Sequence, residues 1–266
     1  MNLVLLRGGG DLASGVALRL HRAGIRVLIT ELAQPLTVRR TVSFAEAIYQ
    51  GETTLEGIAA RYATNPEHAR QILQANEIPV LADPDNHLLP NSCFHFPVLV
   101  DARMTKHPHD ANIHAAPLVI GLGPGFVPGE NCHAAVETNR GHNLGRVYWD
   151  APSEPDTGLP EGDPGRVLRA PAKGVLKTFV EIGAQLKTRQ LIAEVEGELV
   201  IAPFVGVLRG LLHPGLHVTQ GMKIGDIDPR NDPQYCYLVS DKALAIGGGV
   251  LEAILTRPEI RSCLWE

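Results

Sequence analysis

The chain has few cysteines, no excess of basic charge and no long apolar run, and each shortage excludes a class of protein. Its four cysteines among 266 residues are scattered without a CxxC pair, which argues against a disulfide framework or a zinc ribbon and suits a reducing cytoplasm. The net charge is −5, which does not support general nucleic-acid binding, because that binding needs a basic face. No apolar run approaches the roughly 18 residues of a membrane span, and the apolar stretch at the N-terminus is too short for a signal peptide or an anchor. We therefore expect a cytoplasmic protein with neither a nucleic-acid nor a membrane partner.

Glycine and proline are abundant instead. The 27 glycines and 20 prolines make up about 18% of the 266 residues, compared with roughly 12% in an average protein. This excess predicts many turns, and hence a β-rich part beside an α/β part. The predicted organisation is a Rossmann-like α/β domain with a mostly parallel sheet over residues 1–150, a linker over 151–166, a small β-domain over 167–235, and a C-terminal helix over 236–266 that returns to the first domain.

The pattern of residues 1–31 predicts a dinucleotide-binding unit. A short apolar strand runs into a glycine-rich turn, an amphipathic helix follows, and a second strand ends on Glu31; this is the order that such a unit needs. Gly8 permits the tight turn, Gly10 lets the backbone approach a pyrophosphate, and the small Ala13 lets the helix lie close to the strand. Glu31 follows at about the spacing at which an acid meets a ribose hydroxyl, which favours NAD over NADP if a nicotinamide cofactor binds.

Asp11 supports a different interpretation of the same turn. It stands at the predicted start of the helix, where its carboxylate can cap the N–H groups that a phosphate would otherwise use. In that case the turn closes its own helix and binds nothing. The residues alone leave both interpretations open.

Further elements follow from local patterns. Two helices are predicted over 54–62 and 65–73, the second with Asn65 as N-cap and Pro66 in the first helical position. The C-terminal helix contains Gly247–Gly249, and each glycine costs about 1 kcal/mol relative to alanine, so we expect another backbone to pack tightly there. Additional sheet strands are predicted at Ile78–Ala82, Val98–Ala102 and Leu118–Leu122.

The β-domain contains an internal repeat of 32 residues. The motif Ala-Pro-x-x-Gly-Val-Leu begins at Ala170 and again at Ala202, which predicts a small pseudo-symmetric β-sandwich. The pattern resembles the barrel-sandwich hybrid of biotinyl and lipoyl carrier domains. Those carriers present a modified lysine between the two halves, but no lysine lies between Lys187 and Lys223, so a swinging-arm role is excluded.

Polar residues follow several predicted strands. Arg39 and Arg40 offer planar forks suited to phosphate oxygens. Asp101, Arg103 and Lys106 come just after one strand. A second glycine-rich turn with Gly123 and Gly125, and then the string Glu137, Thr138, Asn139, Arg140, Gly141 and His142, follow later strands. Together they offer donors to an anionic ligand, and His142 is a candidate for proton transfer, although a lone histidine after glycine is more often a surface or structural residue.

Two further groups of residues could be considered as a metal site and as a reactive thiol. His107, His109, Asp110 and His114 lack the spacing of a helical ligand pair, so we expect a polar loop and no metal. Cys132 is the best candidate for sulfur or selenium handling, although cysteines are often simply buried.

Five segments together resemble one family: Leu5–Gly15, Arg39–Ala47, Gly121–Phe126, Glu137–His142 and Lys223–Arg230. It is the selenium-dependent molybdenum hydroxylase accessory family (YqeB type), which is related to XdhC-like xanthine dehydrogenase maturation factors. The resemblance implies a cytoplasmic maturation protein that helps build a labile molybdenum site in a partner hydroxylase, and for the XdhC-like relatives it implies binding of the molybdenum cofactor and its delivery to the apo-enzyme.

The sequence therefore supports three hypotheses: a cofactor-handling accessory protein, an NAD-dependent oxidoreductase, and an interaction scaffold with a structural glycine turn. We expect the first, with a molybdopterin-type dinucleotide as ligand, the apo molybdenum hydroxylase as partner and no turnover of its own. Homodimers are common among such folds, so a homodimer is considered beside a monomer. The candidate ligand-binding residues are Gly8, Gly9, Gly10, Asp11, Ala13, Glu31, Arg39, Arg40, Gly123, Gly125, Glu137, Thr138, Asn139, Arg140 and His142; no catalytic residue is assigned.

Overall fold

A computed structural model describes residues 1–90, 92–105, 107–156, 158 and 163–265. The chain forms two compact units: Met1–Pro35, Ser43–Thr157 and Val239–Glu266 make the first, and Leu36–Val42 and Gly158–Leu238 make the second. Residues 157 and 159–162 of the predicted linker, and Lys106, lie outside the described residues. Within the described ranges, no helix is both long and apolar enough to cross a membrane.

The first unit is built on one mixed sheet with the strand order β3-β4-β5-β2-β1-β6-β7-β8-β9. Neighbours from β4 to β8 are parallel, whereas β3 and β9 pair antiparallel at the two ends. The strands are β1 (Asn2–Arg7), β2 (Val27–Thr30), β3 (Glu52–Leu55), β4 (Ile58–Ala63), β5 (Ile78–Leu81), β6 (His95–Asp101), β7 (Leu118–Leu122), β8 (Ala134–Val136) and β9 (Val147–Tyr148). The helices of this unit are α1 (Asp11–Arg22), α2 (Ala47–Gln50), α3 (Pro66–Gln74), α4 (Asp241–Leu255) and α5 (Pro258–Leu264).

The short apolar runs of the sequence form the buried centre of this sheet. β2, β5 and β7 are buried at every position, as expected of parallel strands that are covered on both faces. The predicted strands around residues 3–6, 27–30, 78–81, 98–101 and 118–122 are confirmed. The chain passes from β1 to β2 on one side and returns to β6 on the other, so the strand order reverses between β1 and β6, and ligands bind at such a point in open α/β sheets.

The helix predicted over 54–62 is wrong, because these residues belong to the hairpin of β3 and β4. Leu55 pairs with Ile58 across a two-residue turn, and Glu56 and Gly57 both have positive φ, 46° and 84°. This is the geometry of a tight hairpin turn that matches the twist of its strands. The following helix is confirmed as α3, with Asn65 accepting a hydrogen bond from the His68 N–H.

Helix α4 packs against α1 with backbone contact, as its glycines predicted. A Cβ added to Gly15 of α1 would lie 2.5 Å from the Ala243 carbonyl oxygen, and one added to Gly247 would lie 2.6 Å from the Gly15 carbonyl oxygen. Gly249 faces the Gly145 carbonyl of the loop before β9 just as closely. Gly248 points to open space, so two of the three glycines are required by packing.

The second unit consists of two antiparallel sheets with the orders β10-β17-β15-β12 and β14-β13-β11-β16. The strands are β10 (Val167–Arg169), β11 (Gly174–Thr178), β12 (Gln185–Leu186), β13 (Leu191–Val195), β14 (Glu198–Ile201), β15 (Gly206–Leu211), β16 (His217–Val218) and β17 (Lys223–Asp228). The 32-residue repeat of sequence is also a repeat of structure, because β11, β12 and β13 recur as β15, β16 and β17. Exchanging the two halves turns one strand order into the other, and a single cluster of buried side chains joins both sheets.

Candidate functional site

The parallel strands bring the candidate residues of the first unit to one edge of the sheet. Gly8–Gly10 follow β1, Glu31 follows β2, Asp101 ends β6, Gly123–Gly125 follow β7, and Glu137–His142 follow β8. Carboxyl ends of parallel strands share an edge, and the crevice outside them is where open α/β sheets bind ligands. β1 and β8 are three strand spacings apart, roughly 14 Å, so only an extended ligand would reach both.

The first glycine turn requires glycine at one position and leaves space at another. Gly8 has φ +95°, and an added Cβ would lie 3.1 Å from the Ala102 carbonyl oxygen at the end of β6. Gly10 is the N-cap of α1 with φ −66° and ψ −177°, and an added Cβ there would meet nothing within 4 Å. The first N–H groups of a helix have no partner within the helix, so the turn is open where a diphosphate would approach. Ala13 lies buried in this first turn.

The Glu31 carboxylate holds the glycine turn through hydrogen bonds. One carboxylate oxygen accepts a hydrogen bond from the Gly9 N–H at 2.8 Å and the other accepts one from the Leu32 N–H at 2.7 Å. The Gly9 carbonyl in turn accepts from the Ala45 N–H at 2.9 Å and from the Ser14 hydroxyl at 3.2 Å. A carboxylate has about four acceptor positions, so Glu31 retains capacity for a ribose hydroxyl while it holds the turn.

Asp11 is the first residue of α1 and is half-buried. The residue in the N-cap position is Gly10, which has no side chain to cap the helix. An acid in the first turn stabilises the helix through its dipole. The prediction that Asp11 closes the helix in place of a phosphate therefore remains a prediction.

The second glycine turn packs against the loop after β8. Gly123 has φ +77°, and an added Cβ would lie 2.5 Å from the Thr138 hydroxyl oxygen and 3.3 Å from the Met104 methyl carbon. Gly125 also has positive φ, 91°. Thr138 is buried and Met104 adopts an uncommon left-handed conformation with φ 57°, so the loops after β6, β7 and β8 meet here without room for a side chain at Gly123.

Glu137 is a buried carboxylate that organises its own loop. It is 0% exposed and accepts three backbone hydrogen bonds of 2.7 Å, from the N–H groups of Thr138, Asn139 and Glu154. Three amide donors compensate for the loss of water around the charge. The carboxylate is thereby engaged in holding residues 137–139 and 154 together.

The outer part of this string faces solvent. Arg140 forms a two-pronged ion pair with Asp241 at the start of α4, at 2.7 and 2.8 Å, and Asn139 donates to Glu154 at 3.4 Å. His142 is exposed. Arg140 and His142 are thus exposed, and Asn139 is half-buried, at the edge of the sheet where the parallel strands end.

Arg39 and Arg40 belong to the second unit, whereas the glycine turn belongs to the first. Arg39 donates to the carbonyls of Tyr235 and Leu238 at 3.0 and 3.3 Å. Arg40 donates to the Leu211 carbonyl at 3.1 Å and pairs with Glu181 at 3.1 Å. These contacts hold the segment Leu36–Val42 against the rest of the second unit, and a role of either arginine toward a phosphate stays a prediction.

A cluster of four charges at the ends of β1 and β6 includes Arg7, which is not among the predicted site residues. Arg7 and Asp101 are paired in register across the two strands; both are buried, and their closest charged atoms are 3.8 Å apart. Arg103 lies against Asp101 with contacts of 2.5 and 3.0 Å. Asp110, on the loop between β6 and β7, is held by both arginines. The hydrogen bond from Arg103, together with that from Arg7, keeps the pKa of Asp110 well below its usual range, and although burial opposes it, Asp101 and Asp110 raise the pKa of Arg103.

Cys132 is a buried thiol. It is 0% exposed, and burial raises its pKa to about 12; this agrees with a simply buried cysteine, because only a thiolate with access to reagent reacts. The neighbouring His133 accepts a hydrogen bond from the Val119 N–H through Nδ1 at 2.9 Å, and burial lowers its pKa. Among the described residues, no three His, Cys, Asp or Glu side chains are placed to hold a metal.

Alkylation tests this description of the cysteines. Native protein treated with iodoacetamide at pH 8 should be labelled at the exposed Cys93 and spared at the buried Cys132 and Cys236. A pKa near 12 leaves a thiolate fraction on the order of 10⁻⁴ at that pH, and burial lowers access further. Peptide mass spectrometry after labelling in denaturant provides the control, since all four cysteines should then react. Labelling of native Cys132 at the rate of Cys93 would contradict its burial.

The acids of the segment Lys223–Arg230 form a buried ionic network in the second unit. Arg209 contacts Asp226 at 2.5 Å and Asp228 at 3.1 Å, and Arg230 binds Asp228 at 2.6 Å. The hydrogen bond from Arg230 lowers the pKa of Asp228 to about 2. Both acids are almost completely buried, so their role in this structure is to hold the β-sheets.

Comparison with known proteins gives one curated relative. The chain is 45% identical over 260 residues to a protein of Escherichia coli (strain K12) described as uncharacterized protein YqeB. The match covers 95% of this chain and 47% of the relative, so the chain spans about half the length of the relative it matches. The chain therefore belongs to the family of this YqeB protein, and the match carries no information on molybdenum or selenium. No known family profile matches the chain.

Solved structures give only distant likenesses. The apo structure of the ectoine utilization protein EutE (DoeB) from Ruegeria pomeroyi is 12% identical, with a TM-score of 0.26, over 85% of this chain and 86% of that one. A succinylglutamate desuccinylase/aspartoacylase from Rhodobacter sphaeroides is 12% identical, with a TM-score of 0.25, over 84% and 86%. Likenesses at this level carry no implication for the activity of this chain.

Proposed function

We propose that this protein is a cofactor-handling accessory protein for a molybdenum hydroxylase, one of the selenium-dependent type, and that it binds a molybdopterin-type dinucleotide at the glycine turn. The observation that carries the proposal is the turn itself: Gly8 is required by close backbone approach, whereas Gly10 is open at the start of α1. Backbone N–H groups and the helix dipole at such a start favour a diphosphate. The residues of the turn therefore fit the diphosphate of a dinucleotide.

The sheet topology supports the same proposal. The parallel order β5-β2-β1-β6-β7 corresponds to the 3-2-1-4-5 order of Rossmann-like folds, with the glycine turn at their ligand-binding reversal point. The second unit, with its two symmetry-related sheets, is proposed to be a barrel-sandwich hybrid that meets the partner. The proposed partner is the apo molybdenum hydroxylase, and the proposed setting is the cytoplasm, which suits scattered free thiols.

A second candidate function is an NAD-dependent oxidoreductase. The observation that favours it is Glu31, which directly follows β2 beside the glycine turn, because an acid at this place in such folds binds the ribose hydroxyls of NAD. The third hypothesis, a scaffold, is favoured by the same Glu31 acting only as a brace for Gly9.

Equilibrium dialysis with molybdopterin cytosine dinucleotide and with NAD separates the three. We expect the molybdopterin dinucleotide to bind and the Gly10→Val variant to bind on the order of 100-fold more weakly, equivalent to about 2.8 kcal/mol. Gly10 has φ −66°, and an added Cβ would meet nothing within 4 Å, so we expect the fold to accept valine, whose side chain would obstruct a ligand at the turn. Tight NAD binding with hydride transfer would establish the oxidoreductase, and binding of neither would favour the scaffold.

The matched control is Gly248→Ala, a substitution at another glycine whose Cβ direction is open. It should leave ligand affinity unchanged, and circular dichroism should show both variants folded. Equal affinity of the wild-type protein and Gly10→Val for the dinucleotide would contradict binding at the turn.

A further inference from the structure

Asp110 is held by two arginine side chains at the ends of β1 and β6. Its Oδ2 accepts hydrogen bonds from Arg7 Nη2 at 2.8 Å and from Arg103 Nη1 at 2.9 Å, and its Oδ1 accepts one from Arg103 Nη2 at 2.8 Å. Two guanidinium groups therefore converge on one carboxylate, in the forked geometry that suits carboxylate and phosphate groups equally.

The members of this cluster differ in how firmly the fold holds them. Arg7 is 8% exposed and Asp101 is 2% exposed, and both end neighbouring strands of the sheet. Asp101 supports the two arginines from the buried side. Asp110 is 55% exposed at its side chain and comes from a loop, so it is the member that a dissolved anion can displace.

The charges and hydrogen bonds of the cluster favour such an exchange. The two arginines balance Asp101 and Asp110, and removal of Asp110 from the fork would leave a net positive charge between the strands. The buried Nε of Arg7 has no hydrogen-bond partner among the described residues. Arg7, Asp101 and Asp110 also line a small cavity of about 20 Å³, room for about one water molecule, beside the reversal point of the sheet.

We propose that Arg7 and Arg103 form an oxyanion site that Asp110 fills in the absence of ligand. The site would take a phosphate or carboxylate group of the ligand bound at the adjacent glycine turn, and to this extent it rests on the proposed function. Asp110 is then an internal competitor: it keeps the two arginines paired in the free protein and leaves when the anionic group arrives.

Calorimetric titration of the full chain with inorganic pyrophosphate tests the site. We expect Asp110→Asn to bind pyrophosphate about 10-fold more tightly than the wild-type protein, because the competing charge is gone while the shape is kept. Adding Arg103→Gln to that variant should abolish the gain. Asp150→Asn is the matched control: it removes the same charge from an exposed position just past β9, the antiparallel end strand, and should leave the affinity unchanged.

Additional titrations identify the chemistry of the ligand and distinguish the arginine site from the proposed dinucleotide site at the glycine turn. If Asp110→Asn bound malonate more tightly than the wild-type protein but did not bind pyrophosphate more tightly, the site would be assigned to carboxylates. A gain that persists in Gly10→Val/Asp110→Asn supports the arginine site whatever the glycine turn binds. In the wild-type protein, saturating pyrophosphate should raise the pKa of Asp110 toward its ordinary range, measured by carbon-13 NMR. Equal affinity of Asp110→Asn and the wild-type protein for both pyrophosphate and malonate, together with an unchanged pKa of Asp110, would overturn the proposal.

Discussion

Gly249→Ala is expected to lower the free energy of unfolding by about 3 kcal/mol, near the upper end for overpacking of a tight interior. The new methyl group would overlap the Gly145 carbonyl oxygen and would lie 2.9 Å from the Val136 side chain. Neither neighbour yields easily, because Gly145 donates its N–H to the Glu137 carbonyl and Val136 lies in the buried strand β8. Urea denaturation followed by circular dichroism measures the loss.

Gly248→Ala is the matched control in the same helix. Its Cβ would meet nothing within 4 Å, so only the helix preference of alanine acts, and the free energy of unfolding should rise by up to about 1 kcal/mol. The two neighbouring substitutions therefore have opposite expected signs. If both variants shifted the midpoint of urea denaturation in the same direction, the close approach of α4 to the loop before β9 would be disproved.

Glu137→Ala is expected to cost about 4 kcal/mol of unfolding free energy. The substitution leaves the N–H groups of Thr138, Asn139 and Glu154 without their buried acceptor, and each unsatisfied buried donor costs roughly 1–3 kcal/mol. The loop that carries Asn139, Arg140 and His142 should lose its fixed position. Thermal and urea denaturation measure the destabilisation, and faster hydrogen exchange of residues 137–142 would locate it.

Two variants control for this effect. Glu137→Gln keeps one carbonyl oxygen for part of the donors and should lose about 2 kcal/mol, an intermediate value. Glu154→Ala removes an exposed carboxylate that accepts hydrogen bonds from the side-chain amides of Asn139 and Asn143 and should change stability by less than about 0.5 kcal/mol. Equal stability of Glu137→Ala and Glu154→Ala would mean that the buried carboxylate does not organise the loop.

Helices and strands could be predicted where a short stretch of sequence is enough to specify them. Fully apolar runs identified the buried parallel strands, and Asn65 with Pro66 identified the start of α3. The glycines of α4 predicted a close backbone contact, because a glycine-rich helix is otherwise too unfavourable to persist. The repeat at Ala170 and Ala202 predicted two similar halves of the β-domain, since each half carries the same turn and strand residues.

The hairpin of β3 and β4 was missed because its residues satisfy two patterns. Leu55, Ile58 and Ala59 have helical spacing, yet Glu56 and Gly57 form a two-residue turn. Packing in the sheet decides between the patterns, and that packing involves β5, which lies 15 residues further along the chain than the end of β4.

The candidate site was predictable at the strand ends and not in the loops. Sheet topology places the two glycine turns and Glu137 at one edge, as their positions after strands implied. The partnership of Arg7 with Asp110 depends on the path of the irregular loop between β6 and β7, for which no periodic signal exists. Likewise, nothing in the sequence indicates that Leu36–Val42 leaves the first unit and takes Arg39 and Arg40 into the second.

Backbone NMR during ligand titration tests the central claim most directly. Nitrogen-15-labelled protein titrated with molybdopterin cytosine dinucleotide should show its largest amide shifts at residues 8–13, and Gly10→Val should abolish them while the rest of its spectrum stays that of the folded protein. Binding of the dinucleotide with unchanged amide signals at residues 8–13 would contradict the claim that the turn holds the diphosphate.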